Sequence, residues 1–367
     1  MSKAAELAAL IANVNNGSSL ANKNLIINGA MNVAQRGTSA TGVGSTNSYP
    51  TVDRFKVSGF GSTAGRLTME QVADGPSGFA NCTKLTCTTA DTSIGAGEGL
   101  TISQDLEGQD LQQLKKGTSD AVPITVSFWV KGNASATYTC ELRDADNSRF
   151  NSQAFSVTTS WNRIELTFAG DTTGALDDDT SSSLQLFIWL HAGSTYTGGT
   201  HTSNAWHTTA NQRVVDSQTS FCDSTSRTFF ITGVQMEIGK ATPFEHEPFE
   251  TTLAKCQRYF CRTYTYGVAT GTATVLGAVV TQAEASTVYS GSGTWRYPAE
   301  MRAAPTITAY STQNADTTGK TTADGTDGTA TIYGIGAQSA FICRHNDSSG
   351  VVANAFLKAH ATASAEL

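Results

Sequence analysis

Trp189, His191, Tyr196, Trp206 and His207 fall close together in a chain otherwise sparse in recognisable chemistry. An indole or phenol ring offers a flat apolar face with a polar tip, and an imidazole offers a hydrogen-bonding edge. Sugars present the complementary surfaces, apolar C–H faces and hydroxyl rims. An aromatic ring flanked by amide, carboxylate or imidazole groups is therefore the physical requirement for a glycan site. Trp189 and His191 close the run SLQLFIWLH, which is apolar on both parities, as in a strand covered on both sides. Tyr196, Trp206 and His207 belong to a polar, turn-rich insertion between Ala192 and Ser226. Irregular stretches of that length are usually functional or mobile. These five residues form the candidate glycan-binding set. Trp189 equally fits a core position, and Trp206 a plug for its own loop.

Other chemistries find little support. There is no GxSxG nucleophile elbow and no HExxH pair, since HEPFE at 246–250 has no second histidine. Gly319-Lys320-Thr321 ends like a phosphate loop, but the position of its partner glycine is Asn314. Asp177-Asp178-Asp179, and Asp144 with Asp146 and Asn147, lack the glycine and distal glutamate of an EF-hand and read as solvated loop acids. A carboxylate pair for glycoside hydrolysis needs only spatial proximity, and no spacing argues for one. The seven cysteines are scattered without a repeated CxxC and read as buried free thiols. No catalytic residue, cofactor or metal is expected. The net charge of −7 comes with no basic stripe, which argues against nucleic acid. No apolar run approaches a membrane span. The start, MSKAAELAALIANVNNG, lacks the features of a secretion signal, so folding in a cytoplasm is expected, with any extracellular role reached by release in a particle.

The elements that must position these residues are β-strands. The chain has 367 residues, 39% hydrophobic and only 15% charged, with polarity supplied by Thr, Ser, Asn and Gly. Threonine favours strands and glycine favours turns, so the composition predicts an all-β protein of short strands, long enough for two domains and an appendage. Residues 3–14 carry an apolar helical stripe, Ala4, Leu7, Ala8, Ile11 and Val14, stopped by Asn15-Asn16-Gly17. Leu25–Ile27 read as a strand, followed by a glycine- and serine-rich loop and an anchor strand through Val52, Phe55 and Val57. Strands are then expected at Arg66–Val72, Cys82–Thr88, Leu100–Leu106, Ile124–Lys131, Ala136–Arg143, Gln153–Val157, Asn162–Phe168, Ser183–His191 and Phe229–Ile238. One interruption, DLQQLKKG at 110–117, reads as a helical turn or two. This spacing predicts a sandwich or barrel rather than βαβ units.

The closing stretch organises the rest. Phe230, Thr232, Val234, Met236 and Ile238 alternate on one parity, Gly239 ends the strand, and Pro243 and Pro248 mark a strap leaving the domain. From Glu250 to Arg262 the period becomes helical through Leu253, Cys256 and Phe260, and short β runs fill the remainder. The resulting division is an N-terminal helix and tether (1–23), a β-sandwich (24–248), a connecting helix (249–264) and a small C-terminal β domain (265–367). That last body buries too little apolar area alone, which predicts homo-oligomerisation.

NLIINGAMNVAQRGT, YPTVDRF, GQDLQQL with ITVSFWVKG, WNRIELTF, and ITGVQMEIGKATPFEHEPFETTLAKCQRYF resemble bacteriophage tail-fibre and related virion proteins, some from phages of marine bacteria. The resemblance covers roughly 24–264. RYPAEMRAAPTITAYS and the final ASAEL are more weakly similar to the distal ends of such fibres. The strand order from NLIINGA to ITGVQMEIG is also similar to carbohydrate-binding jelly-roll modules. The resemblance implies a jelly-roll β-sandwich in a virion protein. It further implies a homotrimer held to other phage tail or capsid proteins by its N-terminus, meeting host surface polysaccharide during adsorption. In that trimer Leu253, Cys256 and Phe260 are the expected interface, near the shared axis. The carbohydrate modules often hold a structural calcium, but no ligand maps onto this chain. No extended shaft is present. Two alternatives stand beside host attachment: a head fibre or capsid decoration protein without a receptor site, and a glycan-degrading enzyme.

Overall fold

The computed structural model describes residues 3, 23–282, 289–323, 325–345 and 355–367. Apart from Lys3, the helix expected at 3–14 lies outside the described residues. The chain divides into two compact units. One comprises residues 1–32, 40–49 and 55–247. The other comprises 33–39, 50–54 and 248–367. The second unit thus takes in two short segments that the sequence places in the first body.

The first unit is a jelly-roll β-sandwich of two antiparallel sheets. One runs β1 (Ser39–Val43), β3 (Arg66–Val72), β4 (Cys82–Thr89), β11 (Thr228–Ile238), β6 (Ile124–Gly132) and β9 (Asn162–Phe168). The other runs β2 (Lys56–Phe60), β5 (Gly99–Glu107), β10 (Ser182–Ala192), β7 (Ala136–Asp144) and β8 (Arg149–Val157). Alternation decides which side chains meet between them. Phe128 on β6 meets Phe155 on β8 edge to face at 5.1 Å, and Tyr138 on β7 meets Phe229 on β11 at 5.5 Å. Each such buried ring contributes about 1.5–3 kcal/mol of transfer free energy. β11 carries one break in register against β6, between Thr232 and Gln235. Gly233 sits there at φ +62°, where a Cβ would lie 2.7 Å from the Phe79 ring, so glycine is required twice over.

Two expectations are corrected in this unit, those for Leu25–Ile27 and Asp144, while the helical turns expected at 110–117 are present in 3-10 form. Leu25–Ile27 are not a strand: the Leu25 amide donates to Met236 O, and the Gln104 side chain brackets both backbone groups of Ile27. DLQQLKKG folds into two 3-10 turns, at 108–110 and 112–114, with Lys115 left-handed. Asp144 is not solvated but fully buried, paired with Lys116, which also reaches Asp171 at 3.0 Å. Arg149 completes the set through two bonds to Asp171, at 2.7 and 3.0 Å.

The strap after Gly239 does not leave its strand at once. Thr242 N–H donates to Glu237 (2.8 Å) and Glu245 N–H to Gln235 Oε1 (2.8 Å). The Glu245 carboxylate in turn accepts the backbone amides of Lys23 (2.9 Å) and Asn24 (3.1 Å). The segment ties the residues at 23–24 to β11, the last strand of the sandwich.

In the second unit the helix spans only Phe249–Gln257, and Phe260–Arg262 form β12. Tertiary pairing overrides the helical period there, because β12 lies antiparallel to β19 (Phe356–Ser364). β13 (Val279–Gln282), β15 (Thr306–Tyr310) and β16 (Lys320–Ala323) also pair with β19. β14 (Tyr289–Arg296), β17 (Thr326–Tyr333) and β18 (Ser339–His345) extend the sheet. Ala359, Ala361 and Ala363 keep β19 slim where Trp295, Tyr297, Met301 and Ile342 close over it. The Arg54 guanidinium, 1% exposed, lies 3.4 Å over the Tyr259 ring and pairs with Glu366 at 2.5 Å. Arg36 pairs with the same carboxylate at 3.0 Å and covers Phe260 at 3.7 Å. Cys256 and Phe260, expected at a shared axis, are buried within their own unit. Leu253 is half-buried.

Candidate functional site

The face of the five-stranded sheet turned away from the sandwich core combines aromatic and polar side chains in register. Asp105, Gln185 and Arg143 lie opposite one another across β5, β10 and β7. The next row is Lys56, Ser103, Phe187, Glu141 and Ser152, from β2 through β8. The row beyond is Ser58, Thr101, Trp189, Thr139 and Ala154. Directly opposed residues on one face are neighbours at side-chain contact distance.

The insertion closes one side of this face. It is built of the short helix α1 (Ser194–Thr197) and 3-10 turns at 210–212 and 221–223. It delivers Tyr196 and Arg213. The Arg213 guanidinium lies 4.3 Å from the Phe150 ring, 5.1 Å from Trp189 and 5.7 Å from Tyr196. It donates to Glu141 through Nε (2.7 Å) and Nη2 (3.1 Å), and Trp189 Nε1 donates to the same carboxylate at 2.5 Å. Trp189 also packs against Tyr196 (5.0 Å) and Phe60 (5.6 Å). Phe60 and Tyr196 are half-buried, and both pack against Trp189.

A charged belt continues from this aromatic corner. Lys56 pairs with Asp105, and Arg143 donates to Gln185 Oε1 at 2.8 Å. Burial and the neighbouring Arg213 charge lower the Arg143 pKa from its ordinary value. Ser103 Oγ and Arg143 Nε, both buried, make no hydrogen bond among the described residues.

The structure separates the five residues singled out from sequence. Trp189 and Tyr196 share the aromatic corner. Trp189 is only 1% exposed, so it supports the platform rather than stacking on a ligand. His191 is fully buried and faces Asp91 and Glu98 instead. Trp206 turns away to the loop after β9, donating to Ala169 O at 2.7 Å with Lys116 over its ring. His207 bridges to the β8 backbone at Phe150, and burial lowers its pKa. Phe60, Phe187, Glu141, Arg143, Gln185 and Arg213 were not singled out. The one available signal was the double apolar parity of SLQLFIWLH, which announces a strand whose second face is also covered.

No family model matches the chain, and no curated protein matches it. Several solved structures do. A domain described as the enzymatically active part of tailspike protein 4 of bacteriophage CBA120 is 12% identical, covering 59% of this chain and 22% of that one, with a TM-score of 0.30. A module described as TmCBM61 in complex with β-1,4-galactotriose is 9% identical, covering 59% of this chain and 99% of that one, with a TM-score of 0.30. A family 30 carbohydrate-binding module is 12% identical, covering 63% of this chain and 93% of that one, also with a TM-score of 0.30.

Proposed function

We propose that the chain binds glycan on the outer face of the β2–β5–β10–β7–β8 sheet, as a bacteriophage virion fibre that engages host surface polysaccharide. The observation that carries this reading is the pairing of the half-exposed aromatic residues Phe60 and Tyr196 with an adjoining belt of Lys56, Asp105, Gln185 and Arg143 on one sheet face. Rings serve the C–H faces of a sugar, and the belt serves its hydroxyl rim. Binding proceeds without cleavage: both Glu141 oxygens are engaged by Arg213 and Trp189, and Asp105 is engaged by Lys56, so neither is poised as an acid or nucleophile. The virion location rests on the resemblance of the NLIINGA, YPTVDRF and ITGVQMEIG segments to phage fibres. In that setting the chain is a homotrimer attached through its N-terminal stretch.

Calorimetric titration of the full chain with polysaccharide from susceptible host cells tests the binding reading. Tyr196→Ala and Gln185→Ala are each expected to weaken binding about tenfold or more, the scale of one lost stacking or buried polar contact. A folded chain that ignores host polysaccharide, or variants that bind unchanged, would reject this face as the site. Light scattering tests the assembly, and a clean monomer at micromolar concentration would reject the trimer.

A further inference from the structure

His191, Asp91 and Glu98 come together at the end of β10 and in the loop between β4 and β5. One ligand atom from each lies within 4.8 Å of the others. Their sequence spacing forms no motif, so only the fold discloses the cluster. His191 is fully buried, and its Nε2 is buried without a hydrogen-bond partner, aimed at Glu98 Oε2 from 3.8 Å. That separation is too long for a hydrogen bond. An orphaned imidazole nitrogen facing two carboxylates needs an explanation.

The surroundings supply one. His191 Nδ1 lies 2.7 Å from Ser220 Oγ, which also accepts the Cys222 amide at 3.1 Å. A hydroxyl oxygen can accept twice, so Nδ1 can carry the proton and leave a lone pair on Nε2. Metal-bound histidines are typically held this way, by a partner on the other ring nitrogen. The carboxylates are oriented too. Asp91 Oδ2 accepts Thr63 Oγ1 (3.0 Å) and the Ala64 amide (2.8 Å), and Glu98 Oε2 accepts the Gly95 amide (2.7 Å).

We propose that Asp91, Glu98 and His191 bind a divalent transition-metal ion, zinc being the best fit, that clamps the β4–β5 loop to the end of β10. One nitrogen and two oxygens suit zinc, whereas calcium takes six to eight oxygens. With zinc–ligand bonds of about 2.0–2.2 Å the three atoms must draw in to roughly 3.3–3.6 Å apart, leaving a fourth position for water. Through Ser220 the clamp also fixes the insertion that carries Tyr196 and Arg213. The site stands on its own geometry and does not depend on glycan binding.

The test uses the full chain, stripped with chelator and titrated with zinc chloride by calorimetry, with calcium chloride as control. One equivalent of zinc is expected to bind, with calcium leaving no heat. At zinc one-hundredfold above Kd, the folded-to-unfolded ratio should rise about 100-fold. Asp91→Asn and Glu98→Gln should each weaken zinc binding at least tenfold. Glu98 lies at the edge of the site, so Glu98→Gln keeps the proposal testable if substitution at His191 or Asp91 impairs folding. Cobalt substitution should give d–d bands without thiolate charge transfer, which separates this site from the seven buried cysteines. No stoichiometric binding, unchanged affinity in Glu98→Gln, or a thiolate spectrum would each overturn the proposal.

Discussion

Replacing Glu141 by glutamine tests whether the insertion is held to the sheet by charge. The change is nearly isosteric, so packing is preserved while the carboxylate becomes an amide. In the native protein that carboxylate, fully buried on β7, accepts three N–H groups, two from Arg213 and one from Trp189. The amide can accept on one side only, and its NH2 must face a donor on the other. Breaking a buried ion pair costs about 3–5 kcal/mol. Arg213 retains some exposure, which lets water recover part of its charge, so the expected loss is about 2–4 kcal/mol. For a unit of this size each kcal/mol lowers the melting temperature by about 2–4 °C, so calorimetry should show a drop of roughly 4–16 °C. Urea titration followed by tryptophan fluorescence should agree, because Trp189 reports from the same contact. Arg213→Met and the double variant complete a cycle whose coupling should reach about 1.5–3 kcal/mol. A loss under about 0.5 kcal/mol, or simple additivity, would mean that apolar packing alone holds the insertion, and the reasoning would fail.

Lys116→Met leaves Asp144 buried without its cation and should destabilise the chain by about 3–5 kcal/mol in urea denaturation; a neutral result would show that Arg149 alone satisfies the cluster. Asp171 titrates below its ordinary range, because burial, which raises it, is outweighed by hydrogen bonds from Arg149 and Lys116. Its stabilisation is full above the unfolded carboxylate pKa of about 4 and is lost as pH falls below that. Asp171→Asn should therefore flatten the acid limb of a stability–pH curve. Asp53 behaves oppositely: burial raises it to about 6 against the pull of Arg36 and Gln35. The second unit should gain stability as pH falls from 7 towards 4 and lose it as pH rises through 6. In Asp53→Asn that slope should vanish, and a slope that persists would place the buried proton elsewhere.

The sandwich was legible where strands alternate cleanly. Arg66–Val72 and Asn162–Phe168 are read with their observed bounds because each shows one covered face. Leu25–Ile27 were misread because an apolar triplet looks like a strand whether its backbone meets a ladder or, as here, the amide of Gln104. Residues 258–262 kept a helical period, but pairing with β19, about a hundred residues downstream, decides their state. The binding face was mostly hidden. Glu141 and Arg143 carry no sequence signal of a site, and only the sheet order places them beside Gln185 and Arg213. Trp206 and Trp189, seventeen residues apart in sequence, part company in the fold: Trp189 belongs to the aromatic corner and Trp206 to the loop after β9. Proximity along the chain suggested a site that proximity in space redistributes.

The Glu366 carboxylate pairs with Arg36 and the deeply buried Arg54, more than three hundred residues earlier. A contact between residues so far apart in sequence closes a very long loop, whose ordering cost has to be met before the contact can contribute. The second unit therefore completes its interior late, after its local strand pairings have formed.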